Sequence, residues 1–198
     1  MARYTGPKWR ISRRENADVF GDAQWRRRSG PPGYLSPQRP RSSEYATQFR
    51  EKQKVKRMYG LMEKQFRRFY TMASKSTGNS GTRLLQLLEM RMDNVVFKLG
   101  YAKTRNQARQ LVTHGHLQLN GKSHNIPSTI LQPGDEVTFK PKYAKSEIFK
   151  LTSEEMKAVK APAWLERYSS GGKVVNEPTR DEMDPSIKES LIIEYYSK

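Results

Sequence analysis

Thr104, Arg105, Gln107 and Arg109 have the types and spacing to capture an anion. Thr104 with Gln107 forms a T-x-x-Q capping box, so a helix is predicted to start there, and its first turn offers backbone N–H groups and the positive end of the helix dipole. Lys103 precedes the cap, and Arg105 and Arg109 lie one turn apart on a face separate from the Ala108, Leu111 and Val112 stripe. A phosphate at this end would meet N–H donors and guanidinium groups together. The same spacing also describes a solvated helix face. Reaction chemistry is not in view: the chain has no G-x-x-x-x-G-K-[ST] loop, no G-x-G-x-x-G, no H-E-x-x-H and no Ser/His/Asp set that can be assembled. Cysteine is absent and the three histidines (His114, His116, His124) are scattered, which excludes disulfides, thiol chemistry and cysteine-ligated zinc. No metal, no cofactor, no small-molecule substrate and no catalytic residue is expected.

The elements that must hold this platform are legible around it. Met92, Val95, Val96 and Leu99 fall at i, i+3, i+4 and i+7, which predicts a helix that Gly100 terminates. The second helix runs from Thr104 to His114-Gly115. Residues 116–119 then alternate polar and apolar into Asn120-Gly121, the pair best suited to a type I′ hairpin turn. Pro133-Gly134-Asp135 marks another turn, after which Val137 and Phe139 alternate again. Two helices on a small twisted antiparallel sheet are predicted, followed by a short helix over 146–160 capped by Thr152 or Ser153.

Charge names the partner class. In 198 residues, 37 Lys and Arg stand against 20 Asp and Glu, for a net charge of +17. Such an excess repels itself in isolation and favours a polyanion. A basic membrane-surface protein is the rival, but no apolar run approaches 18 residues and no signal-peptide or lipidation pattern is present, so no membrane is expected. Residues 1–60 hold 15 Lys and Arg against five acids, with Arg10, Arg13, Arg14, Arg26, Arg27 and Arg28 interleaved with Tyr4, Trp9, Trp25 and Tyr34. That mixture pairs phosphate neutralisation with flat surfaces for stacking, and reads as an extended basic arm with one short helix near residues 11–20. From Ser43 to Ala73 the apolar positions advance by three and four with a break at Gly60, predicting two helices whose other face carries Arg50, Lys52, Lys54, Lys56 and Arg57. Leu84, Leu85, Leu87 and Leu88 predict a buried helix, and residues 185–198 a terminal amphipathic helix whose acidic surroundings suit a basic protein neighbour better than RNA.

The residues also carry a resemblance. Leu88-Glu89-x-Arg91-Met92-Asp93-Asn94-Val95-Val96-Phe97-x-Leu99-Gly100, then Thr104-Arg105-x-x-Ala108-Arg109-Gln110-Leu111-Val112-x-His114-Gly115-His116, closely resemble the bacterial family of small-subunit ribosomal protein S-four. The likeness extends to Met1-Ala2-Arg3-Tyr4-Thr5-Gly6-Pro7, to residues 50–60 and to residues 191–197, and covers most of the chain. The central module alone is similar to modules of RNA-modifying enzymes and some tRNA synthetases; the flanks make the match particular. Asp93 resembles in position the catalytic aspartate of pseudouridine synthases, yet Asn94-Val95-Val96 begins a helix there, so Asp93 is expected to be structural, paired with Arg91 or a nearby N–H. Some family members have a zinc knuckle near the N-terminus; Trp9 and Ser12 stand where its first two cysteines would fall, which implies a zinc-free form.

The resemblance implies a structural constituent of the small ribosomal subunit in the cytoplasm. It would be a primary binder of 16S rRNA at a helix junction of the 5′ domain that nucleates subunit assembly. The RNA contacts expected from it are Arg91, Lys103, Thr104, Arg105, Gln107, Arg109, His114, His116 and Lys122 in the module. Outside the module they are Arg3, Tyr4, Arg10, Arg13, Arg14, Arg26, Arg27, Lys52, Lys54, Lys56 and Arg57. Arg39, Arg41 and Arg50 would face mRNA where it enters, and ribosomal protein S-five would neighbour the C-terminal helical part, with a role in decoding accuracy. The expected fold is α+β: arm 1–43, a helical domain from 44–91 and 160–198, and an inserted RNA-binding module at 92–159.

Overall fold

The computed structural model describes residues 4–28, 30–33, 43–156 and 159–197. The chain forms two compact units, Met1–Leu84 with Pro185–Lys198, and Leu85–Asp184.

In the first unit α1 (Lys8–Glu15) ends where Asn16 turns left-handed and its N–H bonds the Ser12 carbonyl. Asp18 then gathers the N–H groups of Phe20, Gly21 and Asp22 at 3.2, 2.7 and 3.0 Å, a side-chain-nucleated turn that leads into a 3-10 turn at Ala23–Arg27. Ile11 and Val19 are buried, so the basic arm carries more local structure than its composition suggested. Ser43 caps α2 (Glu44–Met58), its Oγ accepting from the Ala46 N–H at 3.2 Å. Gly60, at φ +63°, provides the break before α3 (Glu63–Ser74), which buries Phe66, Phe69 and Ala73. The terminal α9 (Glu189–Ser197) lies on α2. Tyr195 meets Tyr45 and Phe49 at ring distances of 5.6 and 6.0 Å, Gln48 Nε2 donates to Glu194 at 2.9 Å, and the Lys188 N–H donates to Glu51 at 2.9 Å.

α4 (Ser80–Glu89) follows a cap in which Asn79 Oδ1 accepts from the Gly81 N–H at 2.9 Å, and its four leucines are buried. The second unit continues with α5 (Met92–Lys98), α6 (Arg105–Thr113), β1 (Leu117–Leu119), β2 (Lys122–His124), β3 (Glu136–Phe139), α7 (Pro141–Ala144), α8 (Glu147–Glu155), β4 (Leu165–Arg167) and β5 (Gly171–Val174). The strands form one antiparallel sheet in the order β2-β1-β3-β5-β4. Met92, Val95, Val96 and Leu99 of the first predicted stripe and Ala108, Leu111 and Val112 of the second share a core with Leu117, Val137, Phe139 and Val174. Burying each such valine or leucine contributes roughly 1.5–3 kcal/mol. Asn120 and Gly121 at φ +49° and +76° make the turn that the sequence called for between β1 and β2.

Two expectations are corrected here. The expected helical domain includes residues 160–184; instead β4 and β5 complete the sheet, and Trp164, 2% exposed, lies in the same core as Leu99 and Val174. Gly171 and Gly172 concealed this strand, because they give no side-chain alternation. They are needed for close approach: a Cβ at 171 would stand 2.3 Å from the Val137 carbonyl, and one at 172 would stand 2.6 Å from Leu99 Cδ2. Tyr101 locks the hairpin from inside, its hydroxyl accepting from the Gly171 N–H at 2.9 Å. The second correction is the helix at 147–155, which Ser146 caps, with Oγ accepting from the Phe149 N–H at 3.3 Å, in place of Thr152 or Ser153.

Candidate nucleic-acid interface

Thr104 caps α6 as its type predicts, Oγ1 accepting from the Gln107 N–H at 3.2 Å. Gln107 reaches back one residue further than in a standard capping box, its Oε1 accepting from the Lys103 N–H at 2.8 Å. This pair fixes the angle at which the chain enters the helix, and so where Arg105 and Arg109 emerge.

α5 supplies the groups that hold those arginines. Its first turn is anchored by the loop before β3: the N–H groups of Met92 and Asp93 donate to the Thr129 and Pro127 carbonyls at 2.9 and 3.2 Å. Asp93 is thereby fixed, and its carboxylate accepts from Arg91 Nε and Nη2 at 3.0 and 2.7 Å and from Arg109 Nη1 at 2.9 Å. Asn94 performs the matching task for Arg105, accepting from its Nε at 2.8 Å while donating to Glu89 Oε2 at 2.6 Å. The Arg105 guanidinium also lies over the Phe97 ring at 4.7 Å, and Lys98 stands 3.8 Å from Glu89. Arg91, Arg109 and Lys98 thus share two carboxylates, with Arg105 linked to Glu89 through Asn94, leaving a positive surface whose arginines have fixed geometry. A guanidinium carries five donors, so one can hold an oriented protein partner and a phosphate at once.

The remaining module residues fall into distinct places. Arg91 is 1% exposed, so it sets Asp93 in place beneath the surface and does not itself face a ligand. Lys103 forms an exposed pair with Glu155 at 2.6 Å, an interaction of the kind that exchanges readily for a phosphate. His116 stacks on Tyr143 at 4.3 Å, with His114 5.9 Å away. Burial, and after it the nearby His114 and Lys140, hold the His116 pKa below its ordinary value, so at neutral pH it offers a neutral ring. Lys122 is exposed on the edge strand β2. Sequence reasoning missed Glu89, Asn94 and Phe97 as positioning groups. The signal available was a buried-type stripe interrupted by polar residues at Asp93 and Asn94.

In the first unit the expected contacts divide. Lys52 and Lys54, expected as RNA contacts, are 3% and 8% exposed. Lys52 Nζ lies 4.5 Å from the Tyr195 ring centre and donates to Glu63 at 2.8 Å; Lys54 Nζ donates to the Ser186 carbonyl at 2.6 Å. Both tie α2 to the C-terminal segment, a role hidden in sequence because their partners lie more than a hundred residues away or on the next helix. Lys56 pairs with Glu63 at 3.0 Å, and Arg57 with the enclosed carboxylate of Glu15. Burial raises the Glu15 pKa against the pull of Arg57, Arg50 and Arg14. Arg50, with 48% of its side chain exposed, lies 3.5 Å from Glu15. Tyr4, Arg10, Arg14, Lys56 and Arg57 line a cleft of about 420 Å³, while Arg13 donates to the Gly30 carbonyl at 3.2 Å and Arg26 lies over Trp25 at 5.5 Å. Arg27 is exposed. Arg3, Arg39 and Arg41 lie outside the described residues. At the positions compared with a zinc knuckle, Trp9 Nε1 donates to Asp22 at 2.7 Å and Ser12 is buried; neither side chain is a zinc donor, and no group of three or more candidate metal ligands occurs among the described residues.

Fold and interface together define an RNA-binding protein. Residues 3–89 match the Ribosomal protein S4/S9 N-terminal domain and residues 90–137 the S4 domain. The small ribosomal subunit protein uS4 of Herpetosiphon aurantiacus is 46% identical over 211 residues, that of Halothermothrix orenii 44% over 208 and that of Rubrobacter xylanophilus 45% over 202, each match covering the whole of both chains. The chain belongs to the uS4 family of ribosomal proteins, which are structural RNA-binding proteins and not enzymes.

Proposed function

We propose that this chain is a structural constituent of the small ribosomal subunit in the cytoplasm and a primary binder of 16S rRNA. It would grip a helix junction of the 5′ domain early in assembly and so nucleate folding of that domain. The observation that carries this reading is the fixed pair of arginines on α6, Arg105 held by Asn94 and Arg109 by Asp93. Two guanidiniums at set positions favour one arrangement of backbone phosphates, so RNA helices that repel one another are held in a single geometry. Shape is then the main thing read, and sequence is secondary. The exposed Arg50, with Arg39 and Arg41, supports a further contact to mRNA where it enters. The acidic residues around α9 support a basic protein neighbour such as S-five, through which decoding accuracy would be affected. The test is filter binding of the full chain to a 5′-domain rRNA fragment and to unrelated structured RNA of equal length. The reading expects the 5′-domain fragment to be preferred at high salt; equal binding at every salt concentration would overturn it.

A further inference from the structure

A cavity of about 550 Å³ lies beside α1 and the Ala23–Arg27 turn. Among the described residues, Trp9, Trp25, Arg10, Arg13, Arg27 and Arg28 form most of its wall, the others are Pro, Gly and Gln, and none is a carboxylate. Four guanidiniums in so small a space, with Asp22 beside Arg27 as the nearby counter-charge, leave a strong net positive charge that favours an anion. An inorganic anion would satisfy the arginines and leave the indoles unexplained, and an apolar ligand would do the reverse. A nucleotide has both parts, and the volume lies in the range that encloses a small ligand.

The indoles are prepared for stacking. Trp9, 47% exposed, has its ring fixed by the bond from Nε1 to Asp22 at 2.7 Å, and Asp22 is itself held by the Gln24 N–H at 2.9 Å. Trp25 also lines the cavity, and its Nε1 is shielded from solvent without a hydrogen-bond partner among the described residues. Arg10 lines both this cavity and the neighbouring cleft of Tyr4, Arg14, Lys56 and Arg57. The two spaces therefore share a guanidinium, which suits a continuing phosphate backbone better than an isolated mononucleotide.

We propose that this cavity seats one unpaired nucleotide of a single-stranded RNA segment, its base against Trp9 and Trp25 and its phosphates on Arg10, Arg13 and Arg27. This rests on the RNA-binding reading and adds to it a base-dependent contact that the phosphate grip of Arg105 and Arg109 does not supply.

The test measures binding of the full chain to a tetra-adenylate RNA, to an abasic tetramer with the same backbone and to AMP. The tetra-adenylate is expected to bind about tenfold more tightly than the abasic strand, as one stacked base requires. Trp25→Ala and Trp9→Ala should each remove that difference. Trp25→Phe keeps a stacking face and should retain most of it, which separates lost stacking from lost fold. Equal binding of the two tetramers overturns the proposal, as does a difference that survives both alanine variants, or AMP competing as well as the tetramer. The same preparations are assayed on the 5′-domain fragment. If that fragment binds while the tetramers tie, this inference alone fails; if both are lost, the rRNA-binding reading fails.

Discussion

Arg109 Nη1 on α6 and Arg91 Nη2 at the start of α5 meet on one oxygen, Asp93 Oδ2, at 2.9 and 2.7 Å. A carboxylate among arginines proposed to grip RNA lowers their total charge, which by itself weakens RNA affinity. What it provides is position: the buried Arg91 holds Asp93, and Asp93 aims Arg109. Replacing Asp93 by Ala should therefore affect stability first, because Arg91 loses its bidentate partner in a site where it is 1% exposed. A loss of about 3–5 kcal/mol is expected, read as a fall in the urea midpoint. A loss below about 1 kcal/mol would show that other partners satisfy Arg91 without Asp93.

Lys52 tests whether the basic face of α2 binds RNA or holds the fold. Lys52→Met keeps an apolar stem but removes the ammonium that lies over Phe49, Tyr195 and Tyr196 and donates to Glu63. Stability should fall by roughly 1–3 kcal/mol, as when a buried hydrogen-bonded charge is removed. The slope of log K against log salt for rRNA binding should stay unchanged, since no phosphate contact is lost. A slope reduced by about one would return Lys52 to the RNA surface.

Glu63 sets an acid limit on the same unit. Burial acts to raise its pKa, but hydrogen bonds from Lys52, Lys56 and the Tyr196 hydroxyl outweigh it and hold the group down to about 2, against an ordinary 4.5. A depressed carboxylate stabilises the fold fully above its unfolded value, and that contribution is lost as pH falls from about 4.5 towards 2. The side chain is 46% exposed, so after solvent screening the contribution is on the order of 1 kcal/mol. Urea unfolding at pH 7, 5, 4 and 3 should show Glu63→Gln less stable than the parent at pH 7, with the gap narrowing from pH 5 to pH 3. Parallel pH curves would contradict the assignment.

How legible these arrangements were depends on how locally each is encoded. The α5, α6 and β1–β2 run was readable because caps, stripes and Asn120-Gly121 act within a few residues. The β4–β5 hairpin was not, since Gly171 and Gly172 are chosen by what approaches them, Leu99 and the backbone of Val137 and Thr138, and those lie far away in sequence. The same limit applied to the site. Thr104, Arg105, Gln107 and Arg109 were visible from spacing, and Asp93 was read as a partner for Arg91. That Asp93 also holds Arg109, that Asn94 holds Arg105, and that Lys52 and Lys54 point into packing are long-range facts without a local signature.

Arg105 and Arg109 carry the proposed grip on rRNA. The most direct measurement is filter binding of a 5′-domain rRNA fragment to the parent chain and to Arg105→Ala/Arg109→Ala across a salt series. Two charge-assisted contacts predict a loss of about 3–6 kcal/mol and a salt slope shallower by about two, with no matching loss on unrelated structured RNA. An unchanged affinity and slope would show that α6 carries a solvated arginine face and that the RNA is held elsewhere.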